Sequence, residues 1–226
     1  MPAGLQVFTD SGAIQIDEEY RNFVYDGTGF ATAQPINGGP AIQYLTLAAN
    51  SLLAIRTTNG PSSDGYSAYA CAQPISFANG QIQYRFISGT QNTPIQWYAF
   101  RLSNPSDSLG YGMDVFNSAG EMVFTSSRPP LRVLKHVMTD QSNVNFDDTF
   151  EGKVVAAVSG KLATGISTVP RPDNELWSLI MLSGFAFPNP SRCQYGMRPA
   201  MAQAQPTGSA AANPGMTYMV IDVTGF

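Results

Sequence analysis

Apolar and polar residues alternate along much of this chain with the period of two that marks a half-buried β-strand. In Gln81-Ile82-Gln83-Tyr84-Arg85-Phe86-Ile87 the apolar Ile82, Tyr84 and Phe86 fall between Gln81, Gln83 and Arg85. Asn79-Gly80 stands just before this run. Both residues tolerate positive φ, which favours a two-residue hairpin turn and predicts that 74–78 pairs with 81–87. The same reading predicts strands at 41–47, 52–57, 66–71, 95–102, 131–138, 154–159, 176–187 and 218–224. Turn clusters such as Asn37-Gly38-Gly39-Pro40 and Asn59-Gly60-Pro61 separate them, and 21 Gly with 16 Pro leave few windows for a long helix. Residues 188–215 are too rich in Pro and Gly to read as a regular strand and are predicted to form an excursion without structure of its own. The predicted fold class is all-β, an antiparallel β-sandwich or jelly-roll-like domain.

An internal repeat refines this picture. Gly4-Leu5-Gln6-Val7-Phe8-Thr9-Asp10-Ser11-Gly12-Ala13-Ile14-Gln15-Ile16 aligns without gaps on Gly112-Met113-Asp114-Val115-Phe116-Asn117-Ser118-Ala119-Gly120-Glu121-Met122-Val123-Phe124. Each copy reads as a β-hairpin: a strand ending in Val-Phe, a polar connection closing on Gly, and a second apolar strand. Gly12 and Gly120 occupy the positions where a left-handed residue would end the loop. An isolated hairpin is marginal in water, so residues 4–16 and 112–124 must each pack on other strands or on another chain. The expected organisation is a single β domain, 1–226, with an internal duplication; two small β units, 1–110 and 111–226, are the alternative.

Hydrophobic residues make up 43% of the 226 positions, enough for a packed core, while charged residues make up only 12%. A polar but weakly charged surface suits permanent assembly, because few ions lose water when subunits pack together. The net charge of −4 with three lysines, Lys135, Lys153 and Lys161, offers no basic stripe for phosphates, so nucleic acid is not an expected partner. The longest apolar run, 176–187, falls short of the roughly 20 residues that span a bilayer, and no membrane insertion is expected. Met1-Pro2-Ala3-Gly4 lacks the basic and apolar regions of a secretory signal, which predicts a product made in the cytoplasm. There, Cys71 and Cys193 are expected to act as small apolar side chains rather than as a disulfide.

Candidate chemistry is sparse. The one histidine, His136, lies in an alternating run and reads as a surface or structural residue, and no Gly-x-Ser-x-Gly elbow accompanies it. Asp17, Glu18 and Glu19, or Asp147 and Asp148, are the carboxylates from which a glycosidase pair could be drawn, although neighbours on a strand point to opposite faces. Residues 140–148 offer oxygen ligands without the spacing of a calcium loop. Trp97, Tyr98, Tyr66, Tyr69, Phe185 and Phe187 could stack on sugar rings, but in alternating strands such residues more often form core. The chain is therefore read as a non-enzyme without catalytic, cofactor-binding or metal-binding residues, and no cofactor is predicted. The candidate partner-docking residues are Arg192, Tyr195, Met197 and Arg198 in the 188–215 excursion, types common at interface anchors. The alternative docking element is the first hairpin, through Leu5, Val7, Phe8, Ile14 and Ile16.

The repeat and its flanks carry a resemblance. Gly4-Leu5-Gln6-Val7-Phe8 through Ile14-Gln15-Ile16-Asp17 and Tyr20-Arg21-Asn22-Phe23, with Tyr111 through Phe124 and Leu131-Arg132-Val133-Leu134, resembles small proteins encoded in the tail-tip and tail-fibre region of long-tailed bacteriophages. The match spans about a quarter of the chain. It implies a structural or adhesive component of a tail tip, baseplate or fibre, assembled in the host cytoplasm and located in the virion tail. Its implied partners are other tail proteins and further copies of itself, with a trimer favoured, and a glycan or protein of the host surface. No catalytic residues come with the resemblance. The alternative class is a carbohydrate-binding module or glycan hydrolase.

Overall fold

A computed structural model describes residues 7–8, 14–16, 21–34, 43–58, 69–89, 92–139, 146–161, 164–170, 176–204 and 216–226. The first half of the chain contributes a hairpin, β1 (Val7–Phe8) and β2 (Ile14–Ile16), and then β3 (Phe23–Ala33), β4 (Tyr44–Ala48), β5 (Leu52–Thr57), β6 (Ala70–Ala78), β7 (Gln81–Ser88) and β8 (Thr93–Leu102). The second half contributes a hairpin, β9 (Asp114–Phe116) and β10 (Met122–Thr125), and then β11 (Val133–Thr139), β12 (Phe146–Thr149), β13 (Val155–Lys161), β14 (Thr164–Pro170), β15 (Leu176–Asn189), β16 (Arg192–Ala204) and β17 (Met216–Asp222). One turn of 3-10 helix, Pro105–Asp107, precedes the second hairpin. No α-helix occurs among the described residues. The strands form an all-β sandwich of antiparallel sheets, as the alternation predicts.

Two large sheets pack face to face. One runs β11-β17-β13-β5-β8-β3 and the other β12-β16-β15-β6-β7-β4, with β14 added beside β15. Both orders read the same from either end once the halves are exchanged. β3, β5 and β8 stand to one sheet as β11, β13 and β17 do, and β4, β6 and β7 stand to the other as β12, β15 and β16 do. Among the described strands only β14 lacks a counterpart. The halves meet through central antiparallel pairs, Ala54 opposite Val158 and Ala70 opposite Phe185.

Register repeats with topology. In the first hairpin Val7 faces Ile16 and Phe8 faces Ile14; in the second, Val115 faces Phe124 and Phe116 faces Met122. Each position shifts by the same 108 residues (7 to 115, 8 to 116, 14 to 122, 16 to 124), and the extra residue of each bulge, Gln15 and Val123, does too. β3 and β11 repeat this agreement, since their bulges leave Asp26 and Leu134 unmatched, again 108 apart. Gly120 has a φ of 78° at the predicted left-handed position; Gly12 lies outside the described residues. The Asn79-Gly80 turn also forms as predicted, with φ values of 52° and 71°.

Residues 129–131, which lead into β11, hydrogen-bond to the start of β3 at the opposite edge of the six-stranded sheet. Val24 bridges Pro130, Leu131 N donates to Phe23 O at 2.8 Å, and Tyr25 N donates to Pro129 O at 2.9 Å. Most of the described core residues fall into three clusters. Ala31, Ala33, Leu53, Ile55, Ala72 and Phe86 fill the space between the sheets in the first half. Val155, Phe185, Tyr195, Met216, Tyr218 and Val220 fill it in the second. The alternate residues Ala54, Tyr98, Phe100, Ala156, Val158 and Ile221 face the other side of the six-stranded sheet, where Phe23, Leu131 and Phe226 pack against them. Each half thus buries its own apolar face, and the third cluster belongs to both.

The prediction of an irregular excursion over 188–215 is corrected by the structure: 192–204 form β16, and 205–215 lie outside the described residues. Proline is tolerated here because pairing places it where a ladder hydrogen bond is dispensable. Met181 faces Pro199 and Ile180 faces Met201, so Ala200 is the extra residue of a bulge beside the proline. Pro188 falls in the irregular stretch between the Ala186 and Asn189 pairs. At the hairpin tip the Asn189 carboxamide accepts from Ser191 N at 3.0 Å, a local bond that sets the turn.

Candidate functional site

The candidate docking residues do not share one surface. Tyr195 is only 2% exposed and stacks on Tyr218, with centroids 5.0 Å apart and planes 8° apart. Its place in β16 turns it between the sheets, which rules it out as a surface anchor. Arg192, at the start of β16, donates from Nε to Asp147 Oδ1 at 2.7 Å across the β12–β16 pair. Met197 and Arg198 continue β16 opposite Ser183 and Leu182. Of the alternative docking residues, Val7, Phe8, Ile14 and Ile16 lie in the first hairpin, while Leu5 is outside the described residues.

The second hairpin shows what this module presents. Met122 and Val123 are buried, and Val123 O accepts from Asn22 N at 2.8 Å while Met122 O accepts from Ser103 Oγ at 3.2 Å, anchoring the hairpin to the body. Leu109, Tyr111, Met113 and Phe116 are exposed. Met113 and Phe116 are the counterparts of Leu5 and Phe8. A second exposed apolar pair follows the same spacing: Phe30 on β3 is 75% exposed and Met138 on β11 is 74% exposed, 108 residues apart. The residue-by-residue pattern did not single out these two positions. Extending the repeat spacing beyond the hairpins would have found them.

The candidates for chemistry are placed as follows. His136 is exposed on β11. Asp147 and Asp148 point apart: Asp147 is held by Arg192 and by Gln194 at 3.0 Å, and Asp148 accepts from Lys135 Nζ at 2.7 Å. The Arg192 hydrogen bond brings the Asp147 carboxyl down to about 2. Asp17, Glu18, Glu19 and most of 140–148 lie outside the described residues, as does Tyr66. Tyr69, Tyr98, Phe185 and Phe187 are buried, so they form core and no sugar-stacking platform. Trp97 is half-buried and lies across Gly29, where an added Cβ would meet the indole ring at 2.5 Å.

Both cysteines are free and buried. Burial pushes the Cys71 thiol up to about 12 and raises Cys193 as well, so neither forms a thiolate readily. The native protein is expected to leave both thiols unreacted with a chromogenic disulfide at mildly alkaline pH, and to release two equivalents in guanidinium. Rapid reaction of either cysteine in the native state would show that its strand opens far more easily than its burial implies.

One part of the seven-stranded sheet extends beyond the symmetric body. The first seven residues of β15, 176–182, pair with β14 on one side and with the last part of β16 on the other. β12 reaches only Arg192–Tyr195 of β16, and β6 reaches β15 only at Phe185. A three-stranded arm results, with open outer edges among the described residues. No family model, curated protein or solved structure matches this chain.

Proposed function

We propose that this chain is a structural and adhesive component of a bacteriophage tail tip, baseplate or fibre, working through surfaces and not through catalysis. The observation that carries the reading is the repeated hairpin. The segments that resemble proteins of the phage tail region fold as the same bulged unit twice, in identical register. In the second copy the unit is anchored by Val123 and Met122 and turns Tyr111, Met113 and Phe116 to solvent. Large exposed apolar side chains rimmed by polar ones are typical of protein contact sites. A low content of charge keeps the cost of desolvating such a contact small.

The test is location. Immunogold labelling and mass spectrometry of purified particles should find the chain at the distal end of the tail. Particles that are complete and infectious without it would overturn the reading.

A further inference from the structure

We propose that two copies of this chain associate through the β14–β15–β16 arm, by antiparallel pairing of β14 with β14 of a second copy about a twofold axis. This contact does not depend on the virion reading, because it rests on the arm alone.

The internal symmetry isolates the arm. In the first half β5 leads to β6 through 58–69, and β7 leads to β8 through 89–92. In the second half the equivalent connections are far longer: 162–184 separate β13 from the Phe185 junction, and 196–215 separate Tyr195 from β17. The added length holds β14 and the extended parts of β15 and β16. Closing the sandwich does not require this material, since the first half closes without it.

The outer edge of β14 is built to pair. An edge strand carries a row of free N–H and C=O groups, and proteins that avoid pairing blunt it with charge, mid-strand proline, bulges or short length. β4 and β12 are short, and β12 also carries Asp147 and Asp148. β14 runs for seven residues in unbroken register with β15, has no charged residue, and has its proline only at the end. In β15, 176–182 are uncharged too, and 197–204 of β16 hold only Arg198.

The sequence of β14 favours its own copy as the occupant. Centred on Ser167, antiparallel self-pairing sets Ile166 opposite Thr168, a β-branched pair that suits cross-strand packing. It also sets Gly165 opposite Val169, small against large. A contact in which one surface meets itself closes after two copies, as an isologous interface must. Two three-stranded arms would then join into one continuous six-stranded sheet.

Charge at the axis tests this. Sedimentation velocity of the full chain should read a dimer. Ser167→Lys and Ser167→Glu should each halve the mass by placing like charges opposite each other, with the circular dichroism of the folded body unchanged. Mixing the two variants in equal amounts should restore the dimer, an outcome that misfolding cannot produce. A monomeric wild type, a trimer, a dimer indifferent to both substitutions, or failure of the mixture to reassociate would each overturn the proposal. None of these results bears on whether the chain is found in virions.

Discussion

Phe185→Ala is expected to destabilise the fold by about 3–5 kcal/mol, a large share of the roughly 5–15 kcal/mol by which domains are commonly stable. Phe185 is fully buried where the halves of the seven-stranded sheet meet, opposite Ala70. Its ring packs edge-on against Tyr195 at 5.2 Å and Tyr218 at 5.4 Å between centroids. Truncation removes those contacts and leaves a cavity that the stacked tyrosines cannot fill without leaving each other. The surrounding strands are held by pairing on both sides, so collapse into the gap is limited. Urea unfolding should show a lower midpoint at constant slope, and the melting temperature should fall by roughly 10 °C. The control is Phe30→Ala, which removes an equally large ring from an exposed position and should change stability by less than about 0.5 kcal/mol. Equal effects of the two substitutions would contradict the burial assigned to Phe185.

Asp107→Asn should cost about 3 kcal/mol and also flatten the acid limb of the stability curve. Asp107 is buried at the end of the 3-10 turn, where it accepts from Arg101 and lies 2.7 Å from Arg128 Nε. Its Oδ2 also accepts from Asn104 N at 2.9 Å. Removing the buried carboxylate leaves Arg101 and Arg128 without their shared partner, which is costlier than the ion pairs themselves are stabilising. Arg101 retains Asp26 and Arg128 can reach water, which places the loss at the lower end of the range for broken buried pairs.

The hydrogen bond from Arg101 holds the Asp107 carboxyl below the ordinary range, against the opposing push of burial. A folded pKa below the unfolded value of about 3.9 stabilises the fold at pH values above 3.9. That contribution is lost as pH falls through the folded value. Wild-type stability should therefore hold from neutrality to about pH 5 and decline below about pH 4, and the decline should be shallower in Asp107→Asn. Asp147, though shifted down by Arg192, is half exposed, and solvent screening makes its replacement by Asn the milder change. Identical acid limbs for wild type and Asp107→Asn would rule out this carboxylate as the source.

Local signals in the sequence proved sufficient where the structure is decided locally. The Asn79-Gly80 turn and the alternation of β7 need only a few neighbouring residues, and the two hairpins of the repeat are of the same kind. β3 was not legible, because Gly27 and Gly29 weaken its pattern. The need for Gly29 comes from Trp97, which reaches it from another strand. β16 was hidden for a similar reason: its proline is tolerated by a bulge that only pairing with β15 creates. Tyr195 looked like an anchor because Pro, Gly and Arg surround it in the chain. Its burial is decided by Tyr218 and Phe185, which arrive from other strands.

The matching strand orders of the halves have a consequence for association. Were the halves separate molecules, the pairs Ala54 with Val158 and Ala70 with Phe185 would form an interface between subunits, occupied only above its dissociation constant. Residues 103–113 connect the halves, and a short tether of this kind sets an effective concentration on the order of millimolar. The central pairing is then insensitive to dilution. One half can carry the β14 arm, and the surface changes that come with it, without putting the contact between the halves at risk.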